Sequence, residues 1–93
     1  MSVYVGIDVA QDELVLAVHQ VRGVTRYGNN RPDRRRLRRQ LQRLQPTRIV
    51  VEGTGGLERP LVEELQDREL PVVVANPQRV RAFATGTGQL AKT

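Results

Sequence analysis

The stretch RIVVEGTGG, from Arg48 to Gly56, joins a short apolar run to a carboxylate and then to a loop that contains three glycines. The β-branched residues of this run favour a buried strand, which we predict to span Arg48 to Glu52. A carboxylate at the end of a buried strand is costly unless another group pairs with it or a ligand binds it. The stretch therefore predicts a strand whose last residue, Glu52, takes part in a functional site.

Similar runs occur on both sides of this strand. Val3–Asp8 and Glu13–Gln20 are rich in β-branched residues and are separated by VAQD, so they predict a hairpin. Gly23–Asn30 alternates more weakly and predicts a third strand after a tight turn. Leu70–Asn76 predicts a fifth strand. Three antiparallel strands are thus expected before the central stretch and one strand after it.

Three segments have helical signals. The first begins at Pro32-Asp33 and is closed by Pro46, and the third begins at Asn76-Pro77, a cap residue followed by a proline. The leucines at helical spacing are Leu37, Leu41 and Leu44 in the first segment and Leu57, Leu61 and Leu65 in the second. The order β-β-β-α-β-α-β-α predicts an α/β fold with a mixed five-stranded sheet, three antiparallel strands then two parallel ones, and helices packed on it.

Composition limits the classes of protein. A chain of 93 residues forms one small domain, and the lack of cysteine excludes disulfides and thiolate metal sites. No apolar run approaches the roughly 20 residues of a membrane span, and no signal peptide is recognisable, so we expect a cytoplasmic protein without a membrane partner. The formal charge of +5 and the sequence pI near 11.0 favour an anionic partner such as nucleic acid.

The positive charge is concentrated in one segment. Seven arginines lie between Arg31 and Arg43, with a single acidic residue among them. We predict that four of them contact a phosphate backbone: Arg34, Arg35, Arg38 and Arg39. The alternative is a solvated helix face without a partner, because no aromatic residues that could stack on bases accompany the arginines.

Two strands end in acidic residues, Asp8 and Glu52. If these strands are neighbours, both carboxylates lie at the carboxyl edge of the sheet, where open α/β sheets bind ligands. Adjacent carboxylates repel each other unless a proton or a cation lies between them, and Mg²⁺ suits oxygen ligands. The alternative is a pair of ordinary caps or surface residues. The glycine-rich loop after Glu52 has two interpretations as well, a phosphate cradle or a simple turn.

Several motifs together resemble a known family. GIDVA around Asp8, VEGTGG around Glu52 and VVVANPQRVRAFATGTGQLAKT resemble the N-terminal domain of DEDD transposases of the insertion-sequence family that includes the Piv/MooV-type DNA invertases. The resemblance implies an RNase H-like fold similar to RuvC, with four acids that hold Mg²⁺ (or Mn²⁺) for cutting and joining DNA. Asp8 matches the first acid of this set and Glu52 the second.

The resemblance also has implications for completeness and partners. In the family, the third and fourth acids follow directly after the position of Lys92-Thr93, where this chain ends. We therefore expect residues 1–93 to be the N-terminal part of the catalytic domain, truncated before those acids, lacking the closing C-terminal helix and inactive alone. DNA is the expected partner, some family members are directed by a guide RNA, and apolar surface left uncovered predicts a homo-oligomer.

Two other functions are compatible with the sequence. The first is a non-catalytic nucleic-acid-binding module of RNase H-like fold, in which Asp8 and Glu52 are structural. The second is part of an actin-like kinase or ATPase, which also begins with a strand, GID and a hairpin. In that class, hydroxyls or glycines would follow the aspartate, whereas Val9 and Ala10 follow it here. Metal binding through Asp8 would distinguish the transposase from the non-catalytic module. Nucleotide binding would distinguish the kinase or ATPase from the transposase.

Overall fold

The computed structural model of the protein describes residues 2–75. The strands are β1 (Tyr4–Val9), β2 (Glu13–Val18), β3 (Thr25–Gly28), β4 (Arg48–Glu52) and β5 (Val72–Ala75), and the helices are α1 (Arg31–Leu44) and α2 (Arg59–Gln66). The third predicted helix, from Pro77, lies outside the described residues. Within residues 2–75, no helix is long and apolar enough to cross a membrane.

The five strands form one mixed sheet in the order β3-β2-β1-β4-β5. β1, β2 and β3 pair antiparallel, whereas β4 pairs parallel with both β1 and β5. The predicted α/β fold class, with three antiparallel strands followed by two parallel ones, is confirmed. This order makes β1 the central strand, and it brings the ends of β1 and β4 to the same edge of the sheet.

One face of the sheet packs against both helices. Side chains alternate between the two faces of a strand, so every second residue of β1 and β4 points into this layer. The fully buried members of the layer are Leu37 and Leu41 of α1, Leu61 and Leu65 of α2, Ile7 of β1, Leu14 of β2, and Ile49 and Val51 of β4. The apolar periodicity that predicted the two helices therefore forms the core.

The ends of α1 follow from local hydrogen bonding. Asn30 caps the first turn, since its side chain accepts a hydrogen bond of 3.0 Å from the N–H of Asp33. Gln45 ends the helix in the left-handed conformation, with φ of 50°, and its N–H donates to the carbonyl of Leu41. Pro46 follows and cannot continue the helix. The helix thus begins one residue before the predicted start at Pro32, because Asn30 is the cap.

The second helix begins later than the leucine spacing predicted. α2 starts at Arg59, and Leu57 lies in the turn before it, although Leu57 still packs against the core. The glycine-rich loop occupies the residues between β4 and this turn, which leaves less chain for the helix. The sequence pattern therefore identified a core residue correctly but assigned it to the wrong element.

Candidate functional site: a carboxylate pair at the edge of the sheet

Asp8 and Glu52 are direct partners in the parallel pairing of β1 and β4. Neighbouring strands lie about 4.8 Å apart, and registered residues of a parallel pair point to the same face. The two carboxylates therefore leave the sheet side by side, on the face opposite the helices. The predicted adjacency of the two strand ends is confirmed, and the role of the two acids as metal ligands stays a prediction.

Both carboxylates are exposed to solvent, which differs from the buried charge expected at the end of β4. The difference follows from strand alternation. Val9 and Val51 point into the helical layer and are buried, so the residues next to them, Asp8 and Glu52, point the other way. Glu52 consequently avoids the cost of desolvation without needing a partner inside the protein. The pair is accessible to a ligand from solvent.

The face that carries the pair forms a shallow depression of about 640 Å³. Asp8 and Glu52 lie at one end of it, and small or apolar residues form its floor, among them Gly6, Ala17 and Val50. Residues 2–75 provide no helix on this face. The carboxylates therefore stand at the rim of an open, mostly apolar surface.

The glycines after Glu52 have conformational reasons for their positions. A Cβ on Gly53 would lie 2.9 Å from the Cβ of Glu58, and Gly55 and Gly56 have positive φ of 64° and 83°. Glu58 is the N-cap residue of α2 and makes no side-chain capping hydrogen bond, but its negative charge at the helix start disfavours a phosphate there. These contacts favour the turn interpretation of this loop over the phosphate cradle.

The donor set can be tested against the needs of a divalent cation. Among residues 2–75, no group of three or more His, Cys, Asp or Glu side chains could hold a metal ion. Mg²⁺ is usually bound through one or two carboxylates, with water and substrate phosphates as further ligands. Asp8 and Glu52 fit that pattern, since both are oxygen donors and both face solvent.

The four arginines predicted to contact nucleic acid occupy different environments. Arg35 and Arg39 are exposed. Arg34 donates from Nη1 to the side-chain oxygen of Asn29 at 2.9 Å. Arg38 is only 8% exposed, and its Nε donates to Glu64 at 2.7 Å. Arg38 therefore joins α1 to α2 inside the fold, and it leaves no guanidinium face for an external phosphate.

A corner built on two asparagines was not recognised in the sequence. The side chain of Asn29 donates to the carbonyl of Ala10 at 2.9 Å, and the backbone N–H of Asn29 donates to the carbonyl of Asp12 at 3.0 Å. Ala10 lies two residues after Asp8, so this corner fixes the chain that follows the first acid. Asn-Asn ahead of a proline is a typical turn and cap sequence, and it was the available signal.

An aspartate completes this corner. The carboxylate of Asp33 accepts a hydrogen bond of 2.7 Å from the N–H of Gly28, and it pairs with Arg36 at 3.0 Å. The hydrogen bond from Gly28 and the neighbouring guanidinium lower the pKa of Asp33. The end of β3 is thereby tied to the first turn of α1.

Comparisons with known proteins agree with this geometry. Residues 5–93 match the profile of a transposase family, the DEDD transposases of the IS110 type. RuvC of T. thermophilus in complex with a Holliday junction substrate is similar with a TM-score of 0.59 and 17% identity, over 88% of this chain and 69% of that chain. A second structure, Thermus thermophilus RuvC, gives a TM-score of 0.55 and 19% identity, over 90% and 68%.

At these identities, the likeness to RuvC shows the fold alone, and the predicted RNase H-like fold is confirmed. A search of curated protein sequences finds no match.

Proposed function

Because the chain belongs to the family of DEDD transposases of the IS110 type, we propose that it supplies two acids to a site that cuts and joins DNA with Mg²⁺ or Mn²⁺. In this proposal, residues 1–93 are the N-terminal part of the catalytic domain. Asp8 and Glu52 are the metal ligands contributed by this part.

The register between Asp8 and Glu52 is the observation that carries the proposal. Two ionised carboxylates that lie side by side cannot donate hydrogen bonds to each other and repel each other, so together they attract a hard cation. When bound, the cation supplies Lewis-acid polarisation of phosphodiester oxygens. The chain itself holds the two carboxylates in register through the β1–β4 ladder, and Asn29 fixes the segment that follows Asp8.

The pair supplies half of the four acids that the resemblance implies. Water and substrate oxygens would have to complete the coordination shell of an ion held by only two carboxylates. We therefore propose that the chain alone binds the metal weakly and does not cleave DNA. The remaining two acids, expected beyond Thr93, would raise metal affinity and permit the reaction.

A non-catalytic nucleic-acid-binding module is the second candidate. It is favoured by one observation, namely that residues 2–75 contain no cluster of three metal-ligating side chains. In that case Asp8 and Glu52 would be surface residues, and replacing them would not alter metal binding. The net charge of +5 is consistent with either function and does not separate them.

Calorimetric titration with Mn²⁺ tests the proposal. Asp8→Asn and Glu52→Gln should each abolish the binding heat of the parent chain. Asp12→Asn removes a nearby exposed carboxylate of the β1–β2 turn and should leave this heat unchanged. In this proposal the catalytic domain continues past Thr93, and the same titration on that longer chain should show tighter binding. Binding that survives Asp8→Asn in both lengths would refute the metal site and favour the non-catalytic module.

A further inference from the structure

The seven arginines of α1 divide into two groups by their contacts. Three have partners within the fold. Arg34 bonds to Asn29, Arg38 bonds to Glu64 and Gln42, and Arg36 pairs with Asp33 and lies over the ring of Tyr27 at 5.5 Å. These three side chains stabilise the corner before α1 and the contact between the two helices, so their charge has a structural explanation.

The remaining four form a regular row, which we call the arginine stripe: Arg31, Arg35, Arg39 and Arg43. They recur at every fourth position, and all four are exposed. None of their side chains makes a hydrogen bond or ion pair with another of the residues 2–75. The fold that this part of the chain forms therefore gives no reason for these four charges.

The stripe is unfavourable for the isolated helix. Like charges four residues apart repel each other along a helix, and the stripe contains three such neighbouring pairs. Arg31 also places a positive charge in the first turn, where the helix dipole favours a negative one. Only Arg43, in the last turn, has the sign that the dipole favours. An external anion would remove this repulsion.

We propose that the arginine stripe binds the phosphate backbone of a nucleic acid. Successive members lie about 6 Å apart along the helix axis, and the row is about 18 Å long. Over that length a duplex presents about ten phosphate charges. Guanidinium groups bind phosphate oxygens through two parallel hydrogen bonds. The stripe holds no aromatic side chain, so it contacts the backbone without reading sequence.

Other anionic surfaces fit less well. A helix that lies on a membrane needs an exposed apolar face, but Leu37 and Leu41 of α1 are fully buried and Leu44 packs partly buried against the core. An acidic peptide would not explain the even spacing along three turns of helix. A polyanion with regularly repeated charge matches the row best.

The stripe begins close to the edge of the sheet that carries the acids. Arg31 follows Asn29 by two residues, and Asn29 is bonded to the segment after Asp8. The N-terminal end of the stripe therefore lies at the same edge of the sheet as the carboxylate pair, which points to the face opposite the helices. The inference rests on the proposed function only for this link to the acids, and the stripe can be tested without metal.

The test measures nucleic-acid affinity against salt, in EDTA, by fluorescence anisotropy. The probes are a labelled DNA duplex of about 30 base pairs and a labelled RNA strand of about 30 nucleotides, between about 50 and 200 mM KCl. The stripe variant is Arg35→Gln, Arg39→Gln and Arg43→Gln. Its control, Arg22→Gln, Arg48→Gln and Arg68→Gln, removes the same charge from exposed arginines elsewhere.

In the parent, each backbone contact contributes about 0.9 to the slope of log affinity against log salt for duplex DNA, and about 0.7 for single strands. The stripe variant lacks three of these contacts, so its slope should be smaller than that of the parent by about 2.7 with the duplex or about 2.1 with the RNA strand. The control should lose less than about 1. Arg→Lys at the three stripe positions keeps the charge and should retain most of the slope, and circular dichroism verifies folding in every variant.

Loss of slope with the duplex alone or with RNA alone identifies which polymer supplies the phosphates, and both outcomes support the stripe. The proposal is overturned if the parent binds neither probe, if the stripe variant keeps the slope of the parent, or if the control loses as much as the stripe variant. Asp8→Asn should not affect binding in EDTA. If the stripe does not bind nucleic acid, the metal titration still tests the proposed function independently.

Discussion

The ion pair between Arg38 and Glu64 offers a quantitative test of the packing between the two helices. Arg38 Nε lies 2.7 Å from Glu64 Oε2, and the side chains are 10% and 23% exposed. Glu64→Ala would leave the guanidinium buried, with Gln42 as its remaining side-chain partner. Removing one partner of a buried pair costs about 3–5 kcal/mol, because the other charge stays desolvated.

The partial exposure of Glu64 and the retained bond to Gln42 reduce this cost. We expect Glu64→Ala to lower the free energy of unfolding by about 2–3 kcal/mol. For a domain of this size, such a loss corresponds to a fall of about 10–20 °C in the melting temperature. Urea denaturation followed by circular dichroism measures the first quantity, and a thermal scan measures the second.

The neighbouring residue of α2 is the matched control. Glu63 is exposed, so Glu63→Ala removes the same charge from the same helix and should cost less than about 0.5 kcal/mol. Replacing the pair together, by Arg38→Met and Glu64→Leu, should restore most of the stability because no buried charge remains unpaired. If Glu64→Ala costs no more than Glu63→Ala, Arg38 is not held inside the fold as described.

Three further results are expected. Gly53→Ala should destabilise the fold by about 1–3 kcal/mol in urea denaturation, because its Cβ would collide with the side chain across the loop. Gly6→Ala, with open space around it, is the control, and an equal cost for both would contradict the collision. The N–H of Gly28 lowers the pKa of Asp33 in the fold, so this stabilisation is full above the unfolded pKa of about 3.9 and is lost as pH falls through the folded value. Asp33→Asn should therefore be less stable than the parent at neutral pH and should show a weaker acid dependence, and parallel pH profiles would contradict this. Sedimentation velocity should show self-association as concentration rises, reduced by Val50→Lys on the apolar sheet face, whereas a monomer at every concentration would refute it.

The fold could be predicted because its strongest signals are local. β4 was predicted with the observed bounds, since Pro46 and Gly53 interrupt the chain on either side of its β-branched run. β3 is shorter than predicted and covers only Thr25–Gly28. Asn29 and Asn30 leave the strand because their polar groups form the corner and cap α1. These asparagine side chains compete with the hydrogen bonds of the sheet and so end the strand, an effect that composition alone does not reveal.

The site was predictable only in part, for a related reason. Asp8 lies one residue before the end of β1 and Glu52 ends β4, and the order of elements makes these strands neighbours, so the adjacency of the two acids followed from the topology. The buried environment of Arg38 could not be predicted from the order of elements. Its partner Glu64 is 26 residues away and belongs to another helix, so its burial depends on how α1 and α2 pack. Periodicity separates the apolar face of a helix from the rest, but it does not identify which flanking arginine the next helix covers.

The position of a bound cation would show whether Asp8 and Glu52 form a metal site. In two-dimensional amide NMR spectra, Mn²⁺ broadens the signals of nuclei close to it. We predict that traces of Mn²⁺ first broaden the signals around Asp8 and Glu52, and that Asp8→Asn abolishes this local effect. Broadening centred on another acidic surface, such as the Asp67 to Glu69 turn, or broadening that is unchanged in Asp8→Asn, would contradict the assignment of the carboxylate pair as a metal site.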